Sequence, residues 1–210
     1  MLWRAGCRTF FVATIAEAID LRTLLPDVVI YVLNGVLAGT AATFQEYGLR
    51  PVLNSANEVR DWADYCAHFR KALPCAVHVD TGMNRLGLSA GEVDEIQDAA
   101  ELWQTLALSL VMSHLACADD HTHAKNAHQR TRFDAVRAKL PEALTSLANS
   151  AGILLGPDYH YDLVRPGVAL YGGHPQRQGE SPFRAVVHLM GRILQIRHAA
   201  QGESVGYGAT

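Results

Sequence analysis

Short apolar segments, rich in β-branched residues, recur along the first 170 positions of the chain. Continuous apolar runs of this length are typical of strands that are buried on both faces of a parallel sheet. Seven strands are predicted on this basis. They cover Thr9–Thr14, Val28–Asn34, Leu49–Asn54, Cys75–Asp80, Leu108–His114, Ser146–Asn149 and Leu163–Leu170.

Amphipathic stretches separate most of these strands, and the clearest predicted helices are Asn57–Lys71, Ala90–Gln104 and His123–Leu140. The alternation indicates an α/β fold, either a doubly wound sheet or a (β/α)8 barrel. Polar residues stand at the C-terminal ends of the strands, where a barrel carries its chemistry. They are Asn34, Asn54, Asp80, His114, Asn149 and Arg165. We therefore favour a partial TIM barrel with about seven of its eight units, and expect the missing unit upstream.

The amino-acid composition and the hydrophobic pattern change after position 175. Residues 176–182 are polar and rich in turn formers, which is typical of a linker. Phe183–Ala199 looks strand-like, and no helix is predicted between it and the segment Gly202–Thr210. We predict three parts: a barrel domain over 1–175, a linker over 176–182, and the beginning of a β-rich C-terminal domain over 183–210.

Composition narrows the class of protein. The 18 Lys and Arg against 21 Asp and Glu give a formal net charge of −3, which argues against a nucleic-acid partner because phosphate binding needs a basic surface. The apolar runs are short and broken by charge, so no membrane span is predicted. The N-terminus has no signal-peptide pattern, and the four cysteines form no Cys-x-x-Cys pair. Free thiols in the cytoplasm are therefore expected.

Four segments carry candidate chemistry. In His78–Leu88 a strand ends at Asp80, Gly82 permits a sharp turn, and Arg85 projects over the rim. An arginine there offers a rigid fork of donors for a carboxylate or a phenolate. The alternative from these residues alone is a rim arginine tied to Asp80 or to a neighbouring loop.

The other three segments are ambiguous by themselves. His114 at a strand end suits either a catalyst or a hydrogen-bonded core residue. The hydroxyl of Ser150 in Ala148–Ser150, with nearby backbone N–H groups, suits either a phosphate site or a helix cap. Arg165 interrupts an apolar strand, and a buried guanidinium must be paired, so it marks either a structural ion pair or a site.

A cluster of potential metal ligands lies in one further stretch: Asp119, Asp120, His121, His123 and His128. Histidine is a common metal ligand. The two histidines at 121 and 123 alternate in a predicted loop, so a solvated loop is the favoured interpretation and no metal is expected.

Five motifs, in order, resemble the alanine racemase family across essentially the whole chain. They are Asp-Thr-Gly-Met-Asn-Arg-Leu-Gly at 80–87, Ser-His-Leu-Ala-Cys-Ala-Asp at 113–119, Ala-Asn-Ser at 148–150, Arg-Pro-Gly-Val-Ala-Leu-Tyr-Gly at 165–172 and Gly-Tyr-Gly-Ala-Thr at 206–210. The resemblance implies a barrel that binds pyridoxal 5'-phosphate, an isomerase that interconverts L- and D-alanine to supply peptidoglycan, and a homodimer.

The resemblance also implies roles for single residues. Arg165 would face the pyridine nitrogen of the cofactor, and His114 would hydrogen-bond Arg165 and fix its plane. Arg85 would contact the phenolic oxygen of the cofactor and the substrate carboxylate. An arginine essentially never gives up its proton, so Arg165 would make the ring a weak electron sink and suppress side reactions.

Two further roles are implied. Ser150, with the backbone at Gly167 and Val168, would hold the cofactor phosphate, supported by Asn149. Tyr207 matches the tyrosine that takes the proton of L-alanine and acts in the active site of the other subunit. Without the resemblance, Tyr207 would be read as a structural strand residue.

The chain departs from the family pattern at two points. The cofactor lysine of the family lies in a first-strand segment that this sequence lacks, and its only lysines are Lys71, Lys125 and Lys139. We therefore expect an inactive fragment of a longer racemase. The alternatives are a non-catalytic relative that binds the cofactor or a partner, and a racemase or lyase for another amino acid. His78 stands where some members carry a carbamylated lysine that holds the arginine matching Arg85, so Arg85 must be positioned otherwise.

Overall fold

A computed structural model describes residues 1–208 of the chain. Its sheet has six strands in sequence order, each parallel to the next. They are β1 (Thr9–Val12), β2 (Val29–Val32), β3 (Arg50–Leu53), β4 (Pro74–His78), β5 (Ala107–Met112) and β6 (Leu144–Ser146). Sequential parallel strands joined by helices are the arrangement of a (β/α) barrel, so the predicted partial barrel is confirmed.

Within residues 1–208, seven α-helices lie between and after these strands. They are α1 (Ile15–Leu24), α2 (Ala41–Glu46), α3 (Ala56–His68), α4 (Ala90–Ile96), α5 (Ala100–Thr105), α6 (Lys125–Arg137) and α7 (Ser150–Ile153). Three begin with a hydroxyl cap: Thr14, Ser55 and Ser89 each accept the backbone N–H three residues on, which satisfies a donor that the helix leaves open. No helix among the described residues is long and apolar enough to cross a bilayer.

The predicted helix Ala90–Gln104 is in fact two helices. The indole Nε1 of Trp103 donates to the carbonyl oxygen of Ile96 at 2.8 Å. In a continuous helix that oxygen would accept the N–H of Ala100, which bonds Asp98 instead. A side chain that takes a backbone acceptor interrupts the helical ladder.

The sheet separates two apolar layers, because successive strand residues point to opposite faces. The outer face packs against the helices around Phe44, Trp62 and Phe133, all of which are fully buried. The inner face is a smaller cluster formed by Tyr31, Val52, Ala76, Leu110 and Met112. The candidate site lies at the C-terminal ends of the strands, beyond this inner face.

Two predicted strands do not form. Leu163–Leu170 makes only an isolated parallel bridge at Arg165 with Asn149 and then a 3-10 helix over Val168–Tyr171. The ladder stops there because the next donor toward β6, the N–H of Gly167, bonds Ser150 Oγ instead. Phe183–Ala199 contains no helix or strand in the described part of the chain, and its large apolar side chains are mostly exposed. A single ribbon without partner strands has nothing to pair with.

Candidate active site

A cavity of about 930 Å³ opens between β1 and the segment Leu163–Val168. It reaches the loops that follow β5 and β6, where a barrel carries its functional groups. Six of the eight site residues predicted from the sequence line it. They are His114, Asn149, Ser150, Arg165, Gly167 and Val168.

Arg165 is the charged centre of this cavity. Its guanidinium donates to Ser146 Oγ, to the carbonyl oxygen of Ser113 at 2.5 Å, and to that of Leu147 at 3.4 Å. All three acceptors are neutral, and no carboxylate pairs with Arg165 among residues 1–208. Burial lowers the pKa of Arg165 to about 10, so the side chain remains a cation at neutral pH. The sequence alone left open whether Arg165 forms a structural ion pair. It forms none with the described residues.

The hydrogen bonds of His114 differ from the sequence-based expectation. Its Nε2 lies 3.3 Å from Nδ2 of Asn149 and makes no hydrogen bond to Arg165 in the described structure. The Asn149 amide is oriented by its other bonds, because Oδ1 accepts the N–H of Gly152 at 2.9 Å and Nδ2 donates to Leu115 O. Nδ2 therefore faces His114 as a donor, and His114 Nε2 is the acceptor.

His114 is also held neutral. Burial lowers its pKa to about 3, and the positive charges of Arg165 and Arg85 add to the effect. A neutral imidazole beside a cation avoids a second buried positive charge. The role of His114 toward Arg165 stays a prediction, but in this geometry the lone pair that would serve it is already used by Asn149.

Ser150 and the backbone near Gly167 lie in direct contact. Ser150 Oγ accepts the N–H of Gly167 at 2.8 Å and that of Ala169 at 3.3 Å. Asn149 caps the short helix α7 that begins at Ser150. The arrangement gathers a hydroxyl and two backbone N–H groups, which are bonded to one another, at one end of the cavity. The phosphate-binding role of Ser150, Gly167 and Val168 stays a prediction.

Arg85 lies on the loop that follows β4. The Asp80 carboxylate in that loop accepts the N–H groups of Gly82, Met83 and Asn84. Burial raises the pKa of Asp80, but these bonds and the nearby His78 outweigh it and lower the pKa overall. Arg85 itself is exposed and makes no hydrogen bond or ion pair with any residue from 1 to 208. The suggested tie to Asp80 is therefore not seen.

His78 lies on the inner face of the sheet with the amide of Asn54. Nδ1 of His78 is 2.9 Å from Asn54 Oδ1, and both residues are buried. Burial, with the charges of Arg165 and Arg85, lowers the pKa of His78 to about 4, against a smaller opposing effect of Asp80. The sequence argument missed this pair, although period-two alternation places Val52 with Asn54, and Ala76 with His78, on one face of the sheet.

A second buried network was also missed. Gln129 is fully buried, and its Nε2 donates to Thr81 Oγ1 and to His114 O. Thr81 Oγ1 bonds Ser113 Oγ at 2.8 Å, and Gln129 Oε1 accepts the N–H of Ala116. Helix α6 thus anchors the loop that carries His114. Nothing in the sequence marks a helical glutamine as a buried anchor.

Tyr207 lies apart from this cavity, fully exposed after a turn at Gly202. Its expected site is in another subunit, so its role stays a prediction. The last two residues of the Gly-Tyr-Gly-Ala-Thr motif, 209 and 210, lie outside the described residues.

The three lysines are all placed away from the cavity lining. Lys125 is the first residue of α6, Lys71 follows α3, and Lys139 follows α6 and pairs with Asp94. In the described part of the chain, no three His, Cys, Asp or Glu side chains are grouped so as to hold a metal ion.

The sequence of the chain was compared with those of known proteins. A family model described as the N-terminal domain of alanine racemase matches residues 1–175. The chain is 48% identical over 208 residues to an alanine racemase of Methylobacterium sp. (strain 4-46), covering 99% of this chain and 57% of the relative. It is 47% identical over 210 residues to an alanine racemase of Rhodospirillum rubrum, with 100% and 56% covered.

Solved structures give the same result. The crystal structure of alanine racemase from Bartonella henselae with covalently bound pyridoxal phosphate superposes with a TM-score of 0.84 at 40% identity, covering 88% of this chain and 54% of that one. The biosynthetic alanine racemase from Pseudomonas aeruginosa gives 0.82 at 31% identity, with 97% and 57% covered. The chain spans little more than half the length of these relatives. By sequence and by fold, it belongs to the alanine racemase family.

Proposed function

We propose that this chain forms the cofactor- and substrate-binding part of a pyridoxal 5'-phosphate-dependent racemase that interconverts L- and D-alanine for cell-wall synthesis. One observation carries the proposal: a half-buried arginine with only neutral partners shares a cavity with a hydroxyl and the two backbone N–H groups gathered around it. Arg165 is the arginine, and Ser150 Oγ with the N–H groups of Gly167 and Ala169 forms the cluster.

The residues present fit the cofactor. When bound, pyridoxal phosphate supplies an electron-withdrawing ring that makes the α-hydrogen of an amino acid acidic. The donors around Ser150 suit its phosphate. Arg165 offers N–H donors that cannot be transferred at neutral pH, which suits a ring nitrogen that stays unprotonated. The neutral His114 keeps a second positive charge away from Arg165.

Two residues outside the cavity lining complete the proposal. Arg85 has no partner within residues 1–208 and lies on the exposed rim, so its guanidinium is available to bind a substrate carboxylate. We propose that Tyr207, on the exposed C-terminal segment, serves the active site of a second subunit, which makes the working protein a homodimer. The division into 1–175, 176–182 and 183–210 and a cytoplasmic location belong to the same proposal.

We further propose that the 210-residue chain alone does not racemise alanine. None of Lys71, Lys125 and Lys139 lines the cavity, so no lysine amine is placed to carry the cofactor or to act on one face of the substrate α-carbon. Racemisation needs acid–base groups on both faces.

The test is a chimera in which this chain replaces the matching 208 residues of the Methylobacterium racemase. We expect the chimera to convert L- to D-alanine in a coupled assay and the isolated chain to show no turnover. A folded chimera that binds the cofactor but leaves alanine unchanged would contradict the substrate assignment, and activity on another amino acid would identify the alternative racemase or lyase.

A matched pair of serine variants tests the phosphate site. Ser150→Ala in the chimera removes a hydroxyl from the donor cluster, and loss of about one to two hydrogen bonds corresponds to roughly 10-fold weaker cofactor binding. Ser181→Ala, on the exposed segment after the barrel, is the control and should leave the affinity unchanged. Equal affinities for the two variants would refute the assignment of Ser150.

A further inference from the structure

The buried pair of Asn54 and His78 fixes the tautomer of the histidine. Asn54 Nδ2 donates to Leu33 O at 3.0 Å and to Val52 O at 2.9 Å. Carbonyl oxygens only accept, so the amide orientation is settled and Oδ1 is the atom that faces His78. The Nδ1 of His78 at 2.9 Å from that oxygen must therefore carry the proton.

The other ring nitrogen is consequently an acceptor. A neutral imidazole with a protonated Nδ1 has a lone pair on Nε2. The ring edge that bears Nε2 points to the loop after β4, because a Cβ on Gly87 would lie only 3.2 Å from His78 Cδ2, the neighbouring ring atom. The same loop closes onto the strand through hydrogen bonds between Asp80 and Leu88 and between Leu88 and His78.

Four charged or titratable groups face this histidine: Arg165, Asp80, Arg85 and His114. Asp80 is a carboxylate already bonded to three N–H groups, and it has no proton to donate. The Nε2 of His114 faces Asn149. The guanidinium of Arg165 donates hydrogen bonds to Ser146, Ser113 and Leu147. Of these groups, the one with all of its N–H donors uncommitted in the described structure is Arg85.

We propose that His78 is a positioning residue whose Nε2 lone pair accepts a hydrogen bond from the Arg85 guanidinium when this exposed side chain, which has no partner in the described structure, turns toward the cavity. Asn54 acts through His78 by holding the proton on Nδ1. The bond restrains a long, exposed side chain at the rim and points its remaining donors toward the cavity, where a carboxylate would meet them. This inference deepens the proposed function, since it gives the substrate-binding arginine its support.

Nitrogen-15 NMR of the imidazole groups tests the inference without requiring activity. Between pH 5 and pH 8, we expect His78 to be neutral with Nδ1 protonated and Nε2 unprotonated, and Nε2 to show coupling to a guanidinium proton of Arg85. Arg85→Met should shift the Nε2 resonance. Arg132→Met is the control, because Arg132 approaches the same loop at Gly82 from α6 and should leave it unchanged. If the isolated chain gives no dispersed spectrum, the same resonances are read in the chimera.

Exchange of the Arg85 guanidinium protons provides the second readout. His78→Leu removes the acceptor, and the exchange should become about 2- to 10-fold faster, as expected for one hydrogen bond. His78→Gln keeps an acceptor oxygen at the end of a side chain of similar length and should restore slower exchange, which a merely space-filling role would not do.

The inference is overturned by a protonated Nε2, by titration of His78 near neutral pH, or by an Nε2 resonance that ignores Arg85→Met. These results would leave the proposed racemase function standing, because the alanine assay of the chimera is independent of them. Conversely, the tautomer and its coupling to Arg85 are measurable in a chimera with no turnover.

Discussion

Acidification from pH 7 to pH 5 should destabilise this fold through two neutral histidines. Burial is the main cause that lowers the pKa of His78 to about 4 and that of His114 to about 3. In the unfolded chain both would titrate near the ordinary value of about 6.5. Below that value the imidazoles of the unfolded state bind protons, whereas those of the folded state remain neutral. The free energy of unfolding therefore falls as the pH falls.

The magnitude follows from the proton balance. At pH 5 an unfolded imidazole is almost fully protonated and the folded ones are almost neutral, which amounts to about 2 kcal/mol for each histidine. Because His114 is partly exposed, the sum is reduced to roughly 2–4 kcal/mol. Burial raises the pKa of Glu58, which acts in the opposite direction and offsets a part. Ordinary carboxylates stay ionised at pH 5 and contribute little in this window.

The assay is urea unfolding at pH 7 and at pH 5, followed by circular dichroism. His78→Gln and His114→Gln each remove one ionisable ring and should each reduce the loss of stability between the two pH values by about half. The exposed His121 provides the control, and His121→Gln should leave the loss unchanged. Equal stabilities of the unmodified chain at the two pH values, or a loss that persists when both His78 and His114 are replaced, would refute the reasoning.

Three substitutions and one matched control test the packing that positions the site, each measured by the free energy of unfolding. Gly87→Ala should cost about 1–3 kcal/mol, because Gly87 has φ +106° and a Cβ would lie 2.9 Å from the backbone nitrogen of Asp80. Gly91→Ala in α4, with open space around it, should instead stabilise by about 0.5–1 kcal/mol, and the reverse order would contradict this account. Gln129→Leu should cost about 1–3 kcal/mol by leaving the N–H of Ala116 unpaired, and no loss would show that water replaces the amide. Phe133→Ala, at a fully buried position, should cost about 3–5 kcal/mol, whereas a cost below 1 kcal/mol would mean that α6 is not packed as described.

The sequence was sufficient for the parallel strands because continuous burial on both faces leaves an unbroken apolar run. Leu49–Asn54 and Cys75–Asp80 were recognisable for this reason, and β3 and β4 lie within or overlap them. Leu163–Leu170 has the same apolar character, but its pairing ends after one bridge, because the next donor toward β6, the N–H of Gly167, bonds Ser150 Oγ. Apolarity alone predicts burial, whereas a strand also needs a donor at each alternate position.

The candidate site was predictable where a residue type has few alternative uses. An arginine within an apolar run, as at Arg165, requires special partners whatever the fold. The partners themselves could not be predicted: Ser113 and Ser146 serve Arg165 through a backbone oxygen and a hydroxyl, and such groups occur everywhere in a sequence. The family resemblance gave His114 a bond to Arg165, but the amide of Asn149 reaches His114 Nε2 in this structure.

The pair of Asn54 and His78 shows how the fold sets a protonation pattern that neither residue predicts from the sequence. Each stands at or just beyond the end of a different strand, and parallel pairing of β3 with β4 brings the two strand ends side by side. The carbonyl oxygens of Leu33 and Val52 then orient the amide, the amide orients the proton of the imidazole, and the imidazole is left with a lone pair beside the loop of Arg85. A protonated His78 would add a positive charge next to two arginines, which burial makes costly. The positive charge of the site therefore stays on the arginines, and histidine serves there as an acceptor.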